Sequence, residues 1–364
     1  MSPETASPKS TVNRLARRIR QAAAVLVKGD KSFQSGSGSL IDTAKNPGRE
    51  IPAITSEEVA EARAFFPMPK YFVFGHARSG TTLLTRLVRL HPDVHCNYQA
   101  HFFTRPPLLQ ALVADPEVGA WLSRRSNRWN HGRDLSPLVL RAVSDFIMER
   151  DARREGKQVV GDKSPNSLLD GEAVRLLVKV YPDAKLVFIV RDGRDAAISH
   201  RFQAFIDNTQ SLSREDWRIR KDFSAHPEAY LNGQSSLFTE KGLRQAAEGW
   251  LRNVVDTHHN AAELLPGQYH HLRYEDLLSD PHTEMHRLWA FLNVDPDAAG
   301  VSDNLDAELN ENPDADWQLQ KAGEIAAAIQ KGKSGSWQSI LTERDKQLFS
   351  EIAGDTLKDW GYSV

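Results

Sequence analysis

Short apolar runs separated by longer stretches with helical spacing set the hydrophobic pattern of this 364-residue chain. The runs Tyr71–Gly75 and Lys185–Val190 lack polar alternation, as strands buried on both faces do. Tyr269–Tyr274 is a third strand candidate, and Gln158–Gly161 is a short fourth one. In the intervening sequence apolar residues recur every three or four positions, which predicts helices at about Thr81–Leu90, Leu138–Arg153, Leu168–Val180, Leu243–Leu265, Pro281–Leu292 and Thr342–Lys358. Strands that alternate with helices predict an α/β fold, a parallel β-sheet flanked by helices.

The first part of the chain differs from the rest. Within Arg14–Lys28, apolar residues fall on one helical face and arginines lie mostly elsewhere, and a Gly/Ser stretch, Ser32–Ser39, follows as a linker. We therefore predict an appendage over residues 1–60 and one domain over residues 61–364. Three interpretations of the basic helix stay open: a solvated appendage, a helix that binds a membrane surface, and an Arg-rich transit peptide.

Composition narrows the class of protein. Apolar residues make up 40% and charged residues 26%, the usual balance of a soluble globular protein. The formal net charge of −2 gives no argument for a nucleic-acid partner. Cys96 is the single cysteine, so an intrachain disulfide framework is excluded. With no apolar run of about 20 residues and no signal-peptide pattern, we expect a cytoplasmic protein, for which membrane association through residues 14–28 is one option.

The strongest local motif is the loop Gly75–Thr82, GHARSGTT, between a predicted strand and a predicted helix. Backbone N–H groups of such a loop bind an anion at the helix N-terminus. Its glycines have the Walker A spacing, but Thr81 occupies the lysine position and Arg78 is the only cation. A loop with one arginine suits a ligand with fewer charges than a nucleoside triphosphate. The plain alternative is a glycine-rich turn without a ligand.

Two further segments carry cations or glycines that suit the binding of an anion. Arg191 follows a strand directly, where ligands of parallel sheets bind, and Ser199 comes about two helical turns later. Both could contact one phosphate, although an Arg191–Asp192 ion pair is an equally good structural interpretation. Lys331–Trp337, KGKSGSW, is a cationic glycine loop that alone indicates only an exposed loop.

Together these motifs resemble the PAPS-dependent sulfotransferases, which use 3′-phosphoadenosine 5′-phosphosulfate as sulfuryl donor and have a P-loop NTPase-like fold. HARSGTTLL resembles the family's 5′-phosphosulfate loop, FIVRDGRDAAIS its 3′-phosphate segment, RYEDLLSDP its Tyr-Glu-Asp segment and KGKSGSW its C-terminal loop. The motifs occur in family order from residue 71 to about residue 362. Arginine in the first loop is closer to the carbohydrate, tyrosyl-protein and bacterial branches than to the small-molecule cytosolic branch.

The resemblance assigns roles by position. The 5′-phosphosulfate would be held by Arg78, Ser79, Gly80, Thr81 and Thr82. Arg191 and Ser199 would hold the 3′-phosphate, and Tyr274 would contact the adenine. The loop closing over the 3′-phosphate would supply Lys331, Gly332 and Lys333.

The implied reaction is in-line attack of an acceptor hydroxyl on sulfur, with PAP (adenosine 3′,5′-bisphosphate) as leaving group. Arg78 would stabilise charge on that group. Lys163 resembles a family lysine that reaches the sulfuryl group, although it could also be an ordinary surface lysine. The resemblance requires no metal, and neither H-E-x-x-H nor paired-cysteine spacing occurs.

The catalytic base is where the sequence departs from the family. Relatives carry a glutamate or a histidine at places where this chain has Gln99 and Pro165, and a neutral amide cannot act as a general base. We predict that His101 takes this role, in an extended segment over residues 97–103 that directs it to the same side as Gln99. Asp162 and His76 are the other candidates, and an inactive Gln99 variant is a further alternative.

Two other functions stay open at this point. A P-loop kinase or NTPase would use Thr82 and Asp192 on Mg²⁺, but the loop lacks the usual lysine. A non-catalytic PAP-binding protein would fit Gln99 and Pro165. The acceptor is expected to carry a free hydroxyl, as carbohydrates, lipid headgroups, peptide tyrosines and small metabolites all do.

Overall fold

A computed structural model of the protein describes residues 50–126, 128–310 and 334–364. Its centre is a five-stranded sheet with strand order β2-β3-β1-β4-β5, and every neighbouring pair is parallel. The strands are β1 Lys70–Gly75, β2 Val94–Tyr98, β3 Val159–Lys163, β4 Lys185–Val190 and β5 Tyr269–Arg273.

Fourteen α-helices lie in the described ranges, together with short 3₁₀ turns at Leu109–Val113, Arg128–Asn130 and Thr209–Ser211. The first seven helices are α1 Ser56–Phe65, α2 Thr81–Val88, α3 Pro116–Ser123, α4 Ser136–Arg154, α5 Glu172–Val180, α6 Gly193–Asp207 and α7 Arg214–Ala225. The other seven are α8 Pro227–Leu231, α9 Glu240–Leu264, α10 Tyr274–Ser279, α11 Pro281–Leu292, α12 Val301–Asn310, α13 Trp337–Ile340 and α14 Glu343–Asp359.

Both faces of the sheet are covered, which explains the unbroken apolar character of its central strands. Along β1, Phe72 and Phe74 join one core cluster, whereas Tyr71 and Val73 join the cluster on the opposite face. Side chains of successive strand residues point to opposite faces, so a strand with helices on both sides needs apolar residues throughout. The predicted α/β class with a parallel sheet flanked by helices is confirmed.

The strand order determines where a ligand can bind. The central strand β1 has β3 on one side and β4 on the other. After β1 the chain forms β2 and β3 on one side of it, and then crosses to form β4 and β5 on the other side. This topological switch opens a crevice beyond the carboxyl ends of β1, β3 and β4.

The strands and helices that the sequence predicted occur near their predicted bounds, whereas strand β2 and the helices α1, α3, α7, α8, α10, α12 and α13 were not predicted. Strand β2 was not predicted, because VHCNY contains polar residues and forms the edge of the sheet. Helix α5 begins at Glu172 and not at Leu168, because Asp170 and Gly171 have left-handed backbone angles that end the preceding turn.

The predicted division at residue 60 stays a prediction, since residues 1–49 lie outside the described ranges. Helix α1 spans residue 60 and packs on α4, and the backbone N–H of Ile54 bonds Lys179 O. The basic segment 14–28 also lies outside the description. Within the described ranges, none of the helices combines the length and the hydropathy needed to cross a bilayer.

Candidate functional site

The loop between β1 and α2 has the backbone of an anion cradle. Arg78 and Gly80 have positive φ angles of 72° and 87°, which turn the chain tightly before the helix. No side chain caps the N-terminus of α2, so its first N–H groups remain open to a ligand. The hydroxyl of Ser79 is buried and has no hydrogen-bond partner within the described chain. A buried polar atom of this kind fits an anion that completes the loop.

Three predicted residues from distant parts of the sequence meet at this loop. Arg78 Nε donates to Ser199 Oγ at 3.1 Å, and Arg191 Nη1 donates to Arg78 O at 3.1 Å. Arg191 follows β4 and Ser199 belongs to α6, so the fold brings both predicted phosphate segments to the same crevice. The result is two guanidinium groups beside an open helix N-terminus.

Tyr274, at the start of α10, forms a wall of the loop. The Arg191 guanidinium lies over its ring, 4.7 Å from the centroid. The same ring lies against Gly80, where an added Cβ would stand 2.2 Å from Tyr274 Cδ2. Glycine is therefore required at position 80 for two reasons, its positive φ and the space taken by the tyrosine.

Bonds behind the site fix the start of α6. Trp250 Nε1 donates to Arg191 O at 3.0 Å, and Asp192 N donates to Glu275 Oε1 at 3.1 Å. Both carboxylate oxygens of Asp192 accept from Arg194, which is buried. Burial raises the pKa of Glu275. The position of Arg191 is thus set by the hydrogen bonds of its backbone segment and by the Tyr274 ring under its guanidinium.

The described end of the C-terminal loop is attached to the same helix. Asp195 accepts hydrogen bonds from Gly335 N at 2.7 Å, Ser336 Oγ at 2.8 Å and Trp337 N at 2.9 Å. Arg194 lies over the Trp337 ring, 3.5 Å from its centroid. The family motif that contains Lys331, Gly332 and Lys333 therefore ends beside the Arg191 segment, while those three residues themselves lie outside the described ranges.

Lys163 is the last residue of β3, the neighbour of β1, and is completely buried. Its Nζ donates to Thr82 Oγ1 at 3.3 Å and lies 5.1 Å from the centroid of the Tyr98 ring. The alternative of an ordinary surface lysine is wrong, because strand pairing places this residue against the phosphate loop.

His101 does not lie in an extended segment, and that prediction is wrong. Gln99 and His101 have φ angles of 57° and 53°, both in the left-handed region. Two hydrogen bonds impose this turn: Ala100 N donates to Asp162 Oδ1 at 3.0 Å, and His101 N donates to Ser164 Oγ at 2.9 Å. The acceptors come from β3 and the residues after it, so the conformation is dictated by tertiary contacts that the local pattern does not contain.

The His101 ring is nevertheless held in a defined way. Nδ1 bonds Thr104 Oγ1 at 2.8 Å, and Nε2 is buried with no hydrogen-bond partner in the described chain. Burial, followed by the nearby charges of Arg105 and Lys163, lowers its pKa to about 4. The imidazole is therefore neutral at physiological pH. With the proton on Nδ1, the lone pair of Nε2 would be available.

The two other candidate bases occupy different settings. Asp162 is buried, its oxygens accept from Ala100 N and Ser164 Oγ, and burial raises its pKa to about 6. His76 bonds Ala77 O through Nδ1, and burial lowers its pKa to about 4. Asp162 thus orders the turn that carries His101.

Sequence reasoning missed several residues that build the site. Asp195 is visible in hindsight as the second aspartate of RDGRD, one helical turn beyond Arg191. Thr104 and Trp250 carry no sequence signal of their own, because their roles depend on contacts between distant elements. The described ranges contain no group of three or more His, Cys, Asp or Glu side chains that could hold a metal ion.

Comparison with known proteins gives one family match and several relatives. The chain is 26% identical over 230 residues to a protein-tyrosine sulfotransferase of Drosophila melanogaster, covering 62% of this chain and 38% of that protein. It is 28% identical over 228 residues to protein-tyrosine sulfotransferase 1 of Danio rerio, covering 62% and 54%. The chain thus spans well under two thirds of the length of these two relatives.

A bacterial relative and a solved structure align over more of the chain. Nodulation protein NoeE of Sinorhizobium fredii is 26% identical over 317 residues, covering 83% of this chain and 68% of NoeE. A mouse sulfotransferase complexed with PAP aligns with 84% of this chain and 90% of its own at 17% identity, with a TM-score of 0.44. The model of the sulfotransferase family matches residues 69–298, which include β1 to β5 and the phosphate loop. The chain belongs to the sulfotransferase family.

Proposed function

We propose that this protein transfers a sulfuryl group from PAPS to an acceptor hydroxyl and releases PAP. The convergence of Arg78, Ser199 and Arg191 on an open helix N-terminus carries the proposal. A ligand with two separate anionic groups suits two guanidinium groups that approach the loop from different elements. Family membership supports the same activity.

On the 5′ side, the loop would bind the phosphosulfate through the backbone of Ser79 to Thr82. Arg78 stands beside the loop and would stabilise negative charge that develops on the leaving phosphate. The unpartnered hydroxyl of Ser79 supports this placement, because a bound phosphosulfate oxygen would satisfy it.

On the 3′ side, Arg191 would read the phosphate that distinguishes PAPS from other adenine nucleotides. Its guanidinium is stacked on Tyr274 and is therefore presented in one orientation. Tyr274 would offer its ring to the adenine. The C-terminal loop would close over the 3′-phosphate with Lys331, Gly332 and Lys333.

Lys163 would contact the sulfuryl group during transfer. Its Nζ bonds Thr82 Oγ1 at the end of the loop, which places the ammonium beside the proposed phosphosulfate site. A buried ammonium beside the reacting group stabilises charge more effectively than one in water.

For the base we propose His101. Thr104 orients the ring through Nδ1, which leaves Nε2 to accept the hydroxyl proton, as a third group orients the base in hydrolase triads. Nε2 is closed to solvent in this structure, so the acceptor must open that space when it binds. The low pKa keeps the imidazole unprotonated before the reaction.

The acceptor is proposed only as a free hydroxyl, of a carbohydrate, a lipid or another small molecule. Two of the relatives described above are named for protein tyrosine, which is also a hydroxyl acceptor. A cytoplasmic location, with membrane contact through residues 14–28, remains part of the proposal from the sequence alone.

Transfer of radiolabelled sulfuryl from PAPS to components of a cell extract tests the activity. We expect a labelled product with the unaltered protein and a loss of about 10²-fold or more with Lys163→Ala, since a transition-state contact is removed. Lys241→Ala, at an exposed position on α9, is the matched control and should keep full activity. PAP binding without any labelled product would instead support a non-catalytic binding protein.

A further inference from the structure

The chain between β2 and α4 folds into a supported platform. The side-chain amide of Asn130 is buried and donates to Arg124 O at 3.1 Å and Leu122 O at 3.3 Å. The backbone N–H of Leu135 also donates to Leu122 O at 3.3 Å. The residues on the outside of this platform are therefore presented by a closed turn and not by a free loop.

Two tryptophans lie side by side on its outer surface. Trp121 is 57% exposed and Trp129 is 47% exposed, and their ring centroids are 5.1 Å apart. Leu112, on the 3₁₀ turn that packs against α3, is a third exposed apolar side chain. Large apolar side chains that are exposed together, and not singly, are typical of an interaction surface.

Three exposed arginines lie between the two tryptophans in sequence, and the nearest preceding acid, Glu117, lies one helical turn before Trp121 on α3. Arg124, Arg125 and Arg128 are exposed and form no ion pair with any residue that the structure describes. The sequence has no aspartate or glutamate between Glu117 and Asp134. Because the net charge of the whole chain is −2, this local excess of positive charge is a property of the surface and not of the composition.

We propose that this Trp–Arg patch, Trp121, Arg124, Arg125, Arg128 and Trp129, docks the protein on an anionic membrane surface. Indole rings partition to the headgroup level of a bilayer, and arginines near the surface are attracted by anionic lipids. An anionic lipid surface engages both features at once, the arginines through its charged headgroups and the indole pair at the level of those headgroups.

The N-terminal sequence provides an independent second signal of the same kind. The sequence Arg14–Lys28 has the spacing of apolar and basic residues that predicts an interfacial helix. Weak membrane contacts anchor a protein stably when two act together. This inference does not depend on the sulfuryl-transfer activity.

Helix α7 offers a matched control within the same chain. Trp217 is 43% exposed and has Arg218 and Lys221 nearby on its helix. That helix also carries Glu215 and Asp222, and its tryptophan has no second indole beside it in the described chain. A surface tryptophan with neighbouring cations is therefore present, without the paired rings. The helix has four cations and three acids, so its excess of positive charge is only one.

Sedimentation of the full-length protein with vesicles tests the proposal. We expect binding to phosphatidylcholine vesicles that contain one third phosphatidylglycerol, weaker binding at high salt, and little binding to pure phosphatidylcholine. Replacing the three arginines by glutamine should weaken binding by about five-fold per residue, on the order of 100-fold in total. Trp121→Ala with Trp129→Ala should weaken it about ten-fold or more. Trp217→Ala with Arg218→Gln should leave it unchanged.

Several results would overturn the proposal. One is full vesicle binding by both patch variants, which would assign membrane contact to residues 14–28 alone. Another is an equal loss with the α7 control, which would indicate non-specific adsorption. No binding of the unaltered protein to anionic vesicles, together with arginine-dependent binding to heparin, would assign the patch to a polyanion. Thermal unfolding of each variant should match the unaltered protein, since all substituted side chains are exposed.

Discussion

The guanidinium of Arg191 lies over the ring of Tyr274, 4.7 Å from its centroid. The next residues along the chain, Asp192 and Glu275, are also bonded to each other, although 83 positions separate them in the sequence. The pair connects the carboxyl end of β4 to the start of α10. The same tyrosine ring also lies against Gly80 of the phosphate loop. Three segments therefore meet at Tyr274: the phosphate loop, the segment of Arg191 and the Tyr-Glu-Asp segment. The family motifs are thus parts of a single wall of the site.

Gly80→Ala should disrupt this contact. A Cβ at position 80 would stand 2.2 Å from Tyr274 Cδ2, and the backbone there has a φ of 87°. We expect a loss of stability of about 1–3 kcal/mol from backbone strain and a marked loss of PAP affinity. Gly132→Ala also has a positive φ, 75°, but an open surrounding, so it reports the strain alone. Equal PAP affinity in both variants would contradict the proposed packing of Tyr274.

Arg191→Ala should distinguish PAP from adenosine 5′-phosphosulfate, which lacks the 3′-phosphate. Loss of a charge-assisted contact should weaken PAP binding by about 1.5–3 kcal/mol and change binding of the second nucleotide little. Isothermal titration of both ligands measures this difference. Equal weakening of both would show that another residue reads the 3′-phosphate.

His101→Ala should lower turnover by about 10²–10⁴ while PAP affinity stays unchanged, because a proton acceptor is lost and no nucleotide contact is removed. Thr104→Val should lower turnover less, by about ten-fold, since the ring loses the bond that orients it. Thr104→Ser keeps that hydroxyl and is the control. Gln99→Glu in the His101→Ala background should restore part of the activity.

The pH profile offers a separate check on His101. A base whose pKa is lowered from 6.5 to about 4 is deprotonated over the whole neutral range. The acid limb of kcat/KM, which reports the free enzyme, should therefore fall near pH 4, and kcat/KM should be flat between about pH 6 and 8. A limb near pH 6 that persists in His101→Ala would transfer the role to Asp162, whose pKa is raised to about 6.

Four of the five strands and half of the helices could be predicted from the sequence, because buried strands and the more regular amphipathic helices have strong local patterns. Strand β4 was predicted with its observed bounds, Lys185–Val190. The site residues came from the family motifs, and the structure brings Arg78, Ser199, Arg191 and Tyr274 together. Their roles in binding and catalysis remain proposals.

What could not be predicted depends on contacts between elements. The left-handed turn at His101 forms because Asp162 and Ser164 accept its backbone N–H groups. Neither acceptor is a neighbour in sequence, so an extended conformation was the reasonable local prediction. Edge strand β2 was missed for a related reason, since it is stabilised by pairing with β3 more than by its own composition.

Lys70→Met should destabilise the fold strongly. The Lys70 ammonium is buried and bonds Glu149 at 2.7 Å and Asp145 at 3.4 Å. Removing it leaves buried carboxylates with fewer partners, which should cost about 3–5 kcal/mol in a urea unfolding experiment. Arg150→Gln breaks an exposed pair with Asp151 and should change stability by about 0.5 kcal/mol or less. A loss below about 1 kcal/mol for Lys70→Met would contradict the buried network.

Thermal unfolding with nucleotides tests the central claim most directly. PAP without added metal should stabilise the protein, by about 2.7 kcal/mol at a concentration 100 times its Kd, because it binds only the folded site. ATP with Mg²⁺ should stabilise it much less, since the loop has Thr81 where nucleoside triphosphate enzymes have lysine. Stabilisation by ATP with Mg²⁺ that equals or exceeds that by PAP would contradict the account and favour a P-loop kinase or NTPase.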